Sequence, residues 1–298
     1  MFLLLCILPL VAGHGGMMWP PTWHDGQKVP LEEITSFYVP SDPPVVDPAS
    51  GHNVSDIKSW LTDQVYVGGI GKEEYLNKGN PTNPECPPTS PCGWRMTSWA
   101  SPGRAPSLGG GCGIFGGNPD GCYPGDTREP GSECFPRSVF SGGSSALDLD
   151  FPDAATTEME IGGVSEVAWL SNGAHFGGYT YRLCKLPPGG KKGITEECFA
   201  RNVLKFATDY TMMRWHSRPG EWFKVPQTDL TQGTYPPGSA WRHVAKVVGD
   251  NYQYLRKDFV HIPNDLPEGD YVLGFRWDTI DPQVWVSCSN VRLVHPRR

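Results

Sequence analysis

Alternation of apolar and polar positions predicts β-strands in the second half of this chain. Six short segments carry either that alternation or a concentration of β-branched and aromatic residues: residues 147–151, 159–161, 164–170, 179–183, 271–277 and 284–294. A period of two is typical of a strand that buries one face. Turn-rich segments separate these runs, and short strands divided by turns are the pattern of a β-sandwich.

Composition supports an all-β, loop-rich protein. The 298 residues include 36 glycines and 30 prolines, and this density of helix-breaking residues excludes long helices. Residues 80–135 are rich in Gly and Pro, hold five of the nine cysteines and predict no regular element. Residues 200–245 are interpreted as a second long insertion. Because no repeat or linker divides the chain, residues 14–298 are predicted to form a single domain with loop insertions.

The first thirteen residues form one apolar run that ends in Val11-Ala12-Gly13. Small residues at these positions are what a signal peptidase accepts, and the run is too short to span a bilayer as a helix. We therefore expect residues 1–13 to be a signal peptide, and the mature, secreted protein to begin at His14.

Cysteine usage agrees with an extracellular compartment. Cys6 lies in the expected leader, and eight cysteines remain: Cys86, Cys92, Cys112, Cys122, Cys134, Cys184, Cys198 and Cys288. An even number in a secreted chain predicts a disulfide framework that staples loops. Their spacing suggests a local Cys184–Cys198 bond but leaves the remaining connectivity open. A zinc site is the weaker interpretation, because Cys86 and Cys92 are too far apart for a usual knuckle.

Charge and surface features narrow the range of partners. The formal net charge is −7 and no basic block is present, which argues against a nucleic-acid partner. No stretch of about 18 apolar residues occurs, so no membrane partner is expected. Asn53-Val54-Ser55 is an acceptor sequence for N-glycosylation, so a glycoprotein is expected.

An N-terminal His14 would carry an α-amino group and an imidazole on one residue. These two nitrogens can chelate one metal ion, and neutral nitrogen donors suit copper, which heads the divalent affinity order. His175 is the second candidate ligand, because it follows a predicted strand in a loop whose glycines permit close approach. His24 is its rival because it is near the N-terminus. The alternative is that both His14 and His175 are ordinary loop residues.

Other chemistry-bearing residues have competing interpretations. Asp148 and Asp150 alternate along a predicted strand and raise the hypothesis of a hydrolase with paired carboxylates, although no acid–base partner is identifiable. Trp19 and Trp23 are the aromatic residues nearest to His14. They either stack on sugar rings or pack against the sandwich.

Three motifs together resemble a lytic polysaccharide monooxygenase, most closely auxiliary-activity family fifteen, which occurs mainly in invertebrates. They are His14-Gly-Gly-Met-Met-Trp-Pro-Pro, Asn172-Gly-Ala-His175-Phe-Gly-Gly-Tyr-Thr-Tyr-Arg-Leu-Cys184 and Pro282-Gln283-Val-Trp285-Val-Ser-Cys288-Ser-Asn-Val-Arg-Leu. The resemblance covers the two ends and the middle of the chain, about a fifth of its residues. Residues 25–135 and 199–260 match nothing in the family.

The resemblance implies an immunoglobulin-like (fibronectin III-like) β-sandwich with a histidine-brace copper site. One copper ion would be held by the α-amino group and Nδ1 of His14 and a ring nitrogen of His175. Gln283 would hydrogen-bond the activated oxygen species. An external electron donor with O₂ or H₂O₂ would drive oxidation of C1 or C4 in chitin or cellulose, and the protein is expected to be a monomer.

The resemblance breaks down at Trp285, which occupies the position where the family has an axial Tyr or Phe. An indole does not ligate as a phenolate does, so the axial face would be shielded instead of coordinated. The alternation of strand residues assigns Val284, Val286 and Cys288 to one face and Trp285 and Ser287 to the other. A core aromatic is the alternative role for Trp285.

Two functional hypotheses follow. The first is a secreted copper monooxygenase, favoured by His14, His175 and Gln283. The second is a non-catalytic copper-binding or polysaccharide-binding protein on the same fold, favoured by Trp285.

Overall fold

Strands dominate the computed structural model. It describes residues 15–23, 31–33, 60–63, 102–103, 109–115, 144–151, 154–172, 177–215, 218, 220–244, 253–279 and 283–297. The strands in these residues are β1 (Gly15–Trp19), β2 (Trp60–Asp63), β3 (Ile114–Phe115), β4 (Thr156–Glu160), β5 (Val164–Asn172), β6 (Gly178–Lys185), β7 (Lys205–Phe206), β8 (Tyr210–Trp215), β9 (Trp222–Pro226), β10 (Asp229–Leu230), β11 (Trp241–His243), β12 (Gln253–His261), β13 (Gly269–Asp278) and β14 (Gln283–Val294). Helical structure in the same residues consists of α1 (Glu196–Ala200) and the 3₁₀ turns Leu31–Glu33, Gly109–Gly111 and Lys191–Gly193.

The strands form two sheets. The first has the order β1-β5-β12-β8-β9, with β7 beside β12, and the second has the order β10-β11-β6-β13-β14-β2-β3, with β4 parallel to β14. Within them, β1-β5-β12-β8 and β6-β13-β14 follow the A-B-E-D and C-F-G orders of the immunoglobulin fold. The prediction of an all-β, immunoglobulin-like sandwich is therefore confirmed.

Aromatic residues fill the core between the two sheets. The Trp169 ring lies 4.8 Å from the ring of Tyr179, 5.2 Å from that of Phe275 and 5.0 Å from that of Trp277, measured between centroids. All four side chains are buried. Rings at these separations add attractive edge and face contacts to the hydrophobic gain of burial, so this layer joins the two sheets.

A second apolar layer covers the outer face of the eight-stranded sheet. Phe199 of α1 packs over Gly274, where an added Cβ would lie 2.8 Å from the Phe199 ring. Disulfide bonds Cys112–Cys288 and Cys184–Cys198 fasten the covering segments to β14 and β6. The predicted Cys184–Cys198 bond is confirmed, and the prediction of a disulfide-stapled fold is confirmed with it. Cys86, Cys92, Cys122 and Cys134 lie outside the described residues.

The prediction that residues 200–245 form an insertion is wrong. Strands β7 to β11 lie there and belong to both sheets. They are two to six residues long. One of their inward positions, Arg242, is charged yet fully buried. Short strands with buried charge obscure the period of two on which the prediction depended.

The segment predicted as a strand over residues 147–151 is instead a turn. The Asp148 N–H donates to the Ser145 carbonyl at 2.9 Å. Leu147 and Leu149 are nevertheless buried while Asp148 and Asp150 are exposed, so the alternation correctly indicated which side chains enter the core. In residues 80–135, where no regular element was predicted, the described part contains β3 and one 3₁₀ turn.

No helix in the described ranges is both long and apolar enough to cross a membrane.

Candidate functional site

Strand β1, which follows His14, is the first strand of the six-stranded sheet and also contacts the eight-stranded sheet. Strand β1 begins at Gly15, which pairs with Ser171 of β5. On its other side, the Met17 backbone N–H donates to Ser287 Oγ of β14 at 2.9 Å. This bond satisfies a donor that the β1–β5 ladder does not use, and it holds the chain start against both sheets.

Gly15 lies directly on the ring of Trp277. A Cβ built on Gly15 would lie 2.7 Å from Trp277 Cζ3 and 3.1 Å from the Leu170 carbonyl oxygen. Trp277 is fully buried, so its ring cannot move aside cheaply. Only glycine allows this approach, and the backbone next to His14 is thereby fixed.

Replacing Gly15 with alanine is expected to lower the free energy of unfolding by about 1–3 kcal/mol, the usual cost of overpacking a full core. Urea denaturation measures the change. Gly189 has no atom within 4 Å of an added Cβ. Gly189→Ala is therefore the matched control, with a change within about 0.5 kcal/mol. Equal stability of the two variants would contradict the close approach.

The loop that contains His175 connects the two sheets at the same end. Strand β5 ends at Asn172, close to Gly15, and β6 begins at Gly178, which pairs with Asp278. Gly177 has φ +77°, and an added Cβ would lie 2.0 Å from the Asp278 carbonyl oxygen. The Val244 N–H donates to the Gly177 carbonyl at 2.9 Å. The loop is thus anchored at both ends.

Gln283 also belongs to this end of the sandwich. Strand β13 ends at Asp278, and its antiparallel partner β14 begins at Gln283. Close to these two ends, Trp277 of β13 pairs with Trp285 of β14. The register of β1, β5, β6, β13 and β14 therefore brings three of the sequence motifs to one end of the fold. We call this region the brace end: Gly15, Asn172, Gly178, Asp278 and Gln283. His14, His175, His24 and the side chain of Gln283 lie outside the described part.

Trp285 is a core residue. Its side chain is 1% exposed, and its ring centroid lies 6.2 Å from that of Trp277. Cys288 lies in a different apolar cluster on the opposite face of β14, where it bonds Cys112. The predicted division of faces is confirmed. Its neighbour across the β13–β14 pair is Trp277, the ring against which Gly15 lies.

Trp19 and Trp23 differ in their surroundings. Trp19 is half-buried against the apolar cluster on the outer face of the six-stranded sheet. Trp23 is 5% exposed and belongs to the layer over the eight-stranded sheet. Trp23 packs against the sandwich, and the small part of it that stays exposed lines a surface pocket.

A buried ionic group supports the strand ends at the brace end. Asp278 accepts two bonds from Arg276, at 2.7 and 3.0 Å, and one from the Gly103 N–H at 2.9 Å. Arg276 also pairs with Glu196, which binds Arg182. Burial raises the pKa of the Asp278 carboxyl, and Arg276 opposes that shift. Both carboxylate oxygens of Asp278 accept hydrogen bonds, so this residue has a structural role. The sequence analysis did not identify that role.

A second buried group joins the sheets. Asp258 accepts from Tyr179 at 2.8 Å, from Thr211 at 2.6 Å and from Arg242 at 2.9 Å. Burial raises the pKa of the Asp258 carboxyl, and Arg242 lowers it. Because its lone pairs are occupied by protein donors, Asp258 is a cross-link and not a free acid or base. Sequence analysis did not identify it.

Within the ranges that the structure describes, no three His, Cys, Asp or Glu side chains come together as a metal site. Asp148 and Asp150 lie on an exposed turn of the outer layer.

No family model matches the chain, and no curated protein matches it in sequence. A solved structure of the cellulose-active monooxygenase CelS2 in complex with copper is 15% identical, with a TM-score of 0.37, over 95% of this chain and 100% of that one. A chitin-binding domain from Burkholderia pseudomallei is 12% identical, with a TM-score of 0.37, over 95% and 100%. A cohesin from Pseudobacteroides cellulosolvens is 10% identical, with a TM-score of 0.23, over 49% and 92%.

Proposed function

We propose that this chain is a secreted copper-dependent lytic polysaccharide monooxygenase that cleaves chitin or cellulose oxidatively at C1 or C4. The observation that carries the proposal is the strand register that unites the brace end. Gly15 follows His14, Asn172 and Gly178 flank the loop of His175, and Gln283 begins the last strand. Motifs far apart in sequence therefore meet at one end of the sandwich.

The residues present fit copper. The α-amino group and imidazole of His14, with a ring nitrogen of His175, offer neutral nitrogen donors that copper binds well. The contact between Gly15 and Trp277 fixes the backbone beside this donor set. When bound there, copper would supply the one-electron and oxygen chemistry that an unactivated C–H bond requires, with an external electron donor and O₂ or H₂O₂.

The remaining steps belong to the chain itself. The amino group of His14 and both imidazoles would hold copper as neutral bases, so any protonated group would have to lose its proton first. The buried Trp277 ring lies against Gly15 and keeps water from the space beneath it. Gln283 would donate its amide N–H to the reacting oxygen species. A copper site at this end of the sandwich would have to be within reach of the surface of an insoluble polymer.

A non-catalytic copper-binding or polysaccharide-binding protein is the second candidate. The observation that favours it is Trp285, which is packed in the core at the position where the family has an axial Tyr or Phe. The indole nitrogen carries a hydrogen and has no lone pair to donate, so no axial ligand comes from this residue.

Product analysis distinguishes the two candidates. Copper-loaded mature protein with ascorbate and O₂ or H₂O₂ should release aldonic acids or ketoaldoses from chitin or cellulose, detected by mass spectrometry. His175→Ala should abolish them. His261 is exposed and pairs with Val164. It therefore lies at the end of β12 that is far from the brace end, where Gln253 pairs with Asn172. His261→Ala is the matched control and should retain full yield.

Absence of oxidised products from chitin, cellulose, xylan and pectin, in protein that demonstrably holds copper, would refute the enzyme and leave the binding protein.

A further inference from the structure

A pocket lies on the outer face of the eight-stranded sheet. Its volume is about 410 Å³, within the usual range for small-ligand sites. The described residues that line it are Trp23, Asp150, Phe151, Ala154, Lys191 and Asn290. The lining combines an aromatic wall with one carboxylate, one ammonium and one amide.

The aromatic wall is held in place by the residues around it. The rings of Trp23 and Phe151 are stacked, with centroids 6.2 Å apart and planes 25° from parallel. Trp23 Nε1–H donates to Asn290 Oδ1 at 2.7 Å. This bond fixes the indole and also orients the Asn290 amide, whose NH₂ group supplies further donors.

Lys191 places a positive charge at the wall. Its ammonium lies 4.8 Å from the Phe151 ring centroid and 5.4 Å from that of Trp23, and it donates to the Leu149 carbonyl. Partial burial lowers the pKa of Lys191, while the Asp150 carboxylate opposes that shift. The exposed Asp150 supplies acceptors on the same pocket. Among the described lining residues, one positive charge thus faces one negative charge.

The pocket is separate from the brace end. Asn290 is seven residues along β14 from Gln283, which corresponds to about 23 Å in an extended strand. It shares a face with Cys288, whose cluster contains Trp23, whereas Trp285 lies on the inner face.

We propose that this pocket binds one sugar residue of a neutral β-1,4-linked glycan. It would be a second glycan site in addition to the brace end, and the choice of this polymer rests on the proposed function. A pyranose ring has an apolar C–H face that suits the partly exposed ring of Phe151, against which the buried Trp23 packs. Its hydroxyl groups both donate and accept, which matches Asp150 as acceptor and Lys191 and Asn290 as donors. An anion would face Asp150 and a cation would face Lys191, so a neutral ligand suits the pocket better than either.

The experiment uses copper-free mature protein and soluble chitohexaose and cellohexaose. Calorimetric titration should give saturable binding of at least one hexaose. Asp150→Ala should weaken it about tenfold or more, since a bond to a charged group is lost. Asp148→Ala removes the same charge two residues away, from an exposed carboxylate that acts on Lys191 through space but is not among the described lining residues, so affinity should fall far less. The indole N–H resonance of Trp23 should shift on saturation.

Three results would overturn the proposal: no binding of either hexaose, equal effects of the two Asp variants, or binding of inorganic phosphate in place of sugar. Binding should persist in His175→Ala, which lacks a proposed copper ligand. Failure here, with oxidised products still released, would reject the pocket and leave the proposed enzyme intact. Hexaose binding in the pocket without release of oxidised products would support the pocket and reject the proposed enzyme.

Discussion

One extra residue before His14 is expected to abolish tight copper binding. The added residue turns the α-amino nitrogen into a peptide nitrogen, so one of three proposed donors is lost and the chelate ring cannot close. Loss of an outer hydrogen-bond partner alone costs a metal site roughly 10- to 100-fold in affinity, and loss of a direct ligand should exceed that. Calorimetric titration of Cu(II) into protein that starts at His14, and into protein extended by one alanine, measures the effect.

The extension leaves the fold in place, because Gly15 and Met17 hold β1 independently of what precedes His14. Unchanged thermal unfolding is therefore the control for the extended protein. Affinity should also rise with pH in the protein that begins at His14, since its ligands bind as neutral bases. Equal copper affinity of the two forms would show that the histidine brace is wrong.

Variants of the protein that begins at His14 distinguish between His175 and His24 as the second copper ligand. The Cu(II) EPR spectrum should change in His175→Ala and stay the same in His24→Ala. The reverse outcome would transfer the ligand role to His24, the rival that the sequence left open.

Much of β5, β6, β13 and β14 could be predicted because apolar, β-branched and aromatic residues mark these strands locally. The nine-residue strand β12 was not predicted, since the buried Arg256 and Asp258 interrupt its apolar positions. Trp285 and Cys288 were assigned to opposite faces of β14 correctly, since a period of two leaves no other arrangement. The turn at residues 147–151 was mistaken for a strand because its apolar side chains alternate in burial without a partner strand. A local pattern reports which side chains are buried but not which backbone atoms pair.

Strands β7 to β11 could not be predicted, because their buried polar residues depend on distant partners. Arg242 is stable inside the sandwich since Asp258 lies 16 residues away in sequence and 2.9 Å away in space. Tyr179 donates to the same carboxylate from 79 residues away. When the partner of a charged residue is not known, the residue is assigned to the surface, because burying an unpaired charge is unfavourable.

The brace end was predicted only in part. Each motif suggested chemistry by its own residues, but their convergence comes from the register of β1 on β5 and of β13 on β14. Register is a property of paired strands, so no single segment encodes it. The pocket on the outer face was missed for the same reason: Trp23, Lys191 and Asn290 come from three separate parts of the chain.

Replacing Gln283 with alanine is expected to lower the rate of oxidative cleavage by about 10²- to 10³-fold, the usual loss when one donor to a transition state is removed. Copper affinity should remain the same, because the amide is not among the proposed ligands. Gln283 is the first residue of β14 and pairs through its backbone with Asp63, so the strand should persist without the side chain.

Two measurements test this expectation together: initial rates of oxidised product release from chitin or cellulose, and Cu(II) affinity by calorimetry. Gln227→Ala is the matched control, since Gln227 is half-buried between β9 and β10 and its backbone N–H bonds the Asp209 carbonyl at 2.8 Å. It should change neither quantity. A parallel fall in copper affinity and rate would mean that Gln283 supports the ligands themselves. An unchanged rate would mean that its amide takes no part in the reaction, and the resemblance at this position would then extend to the fold alone.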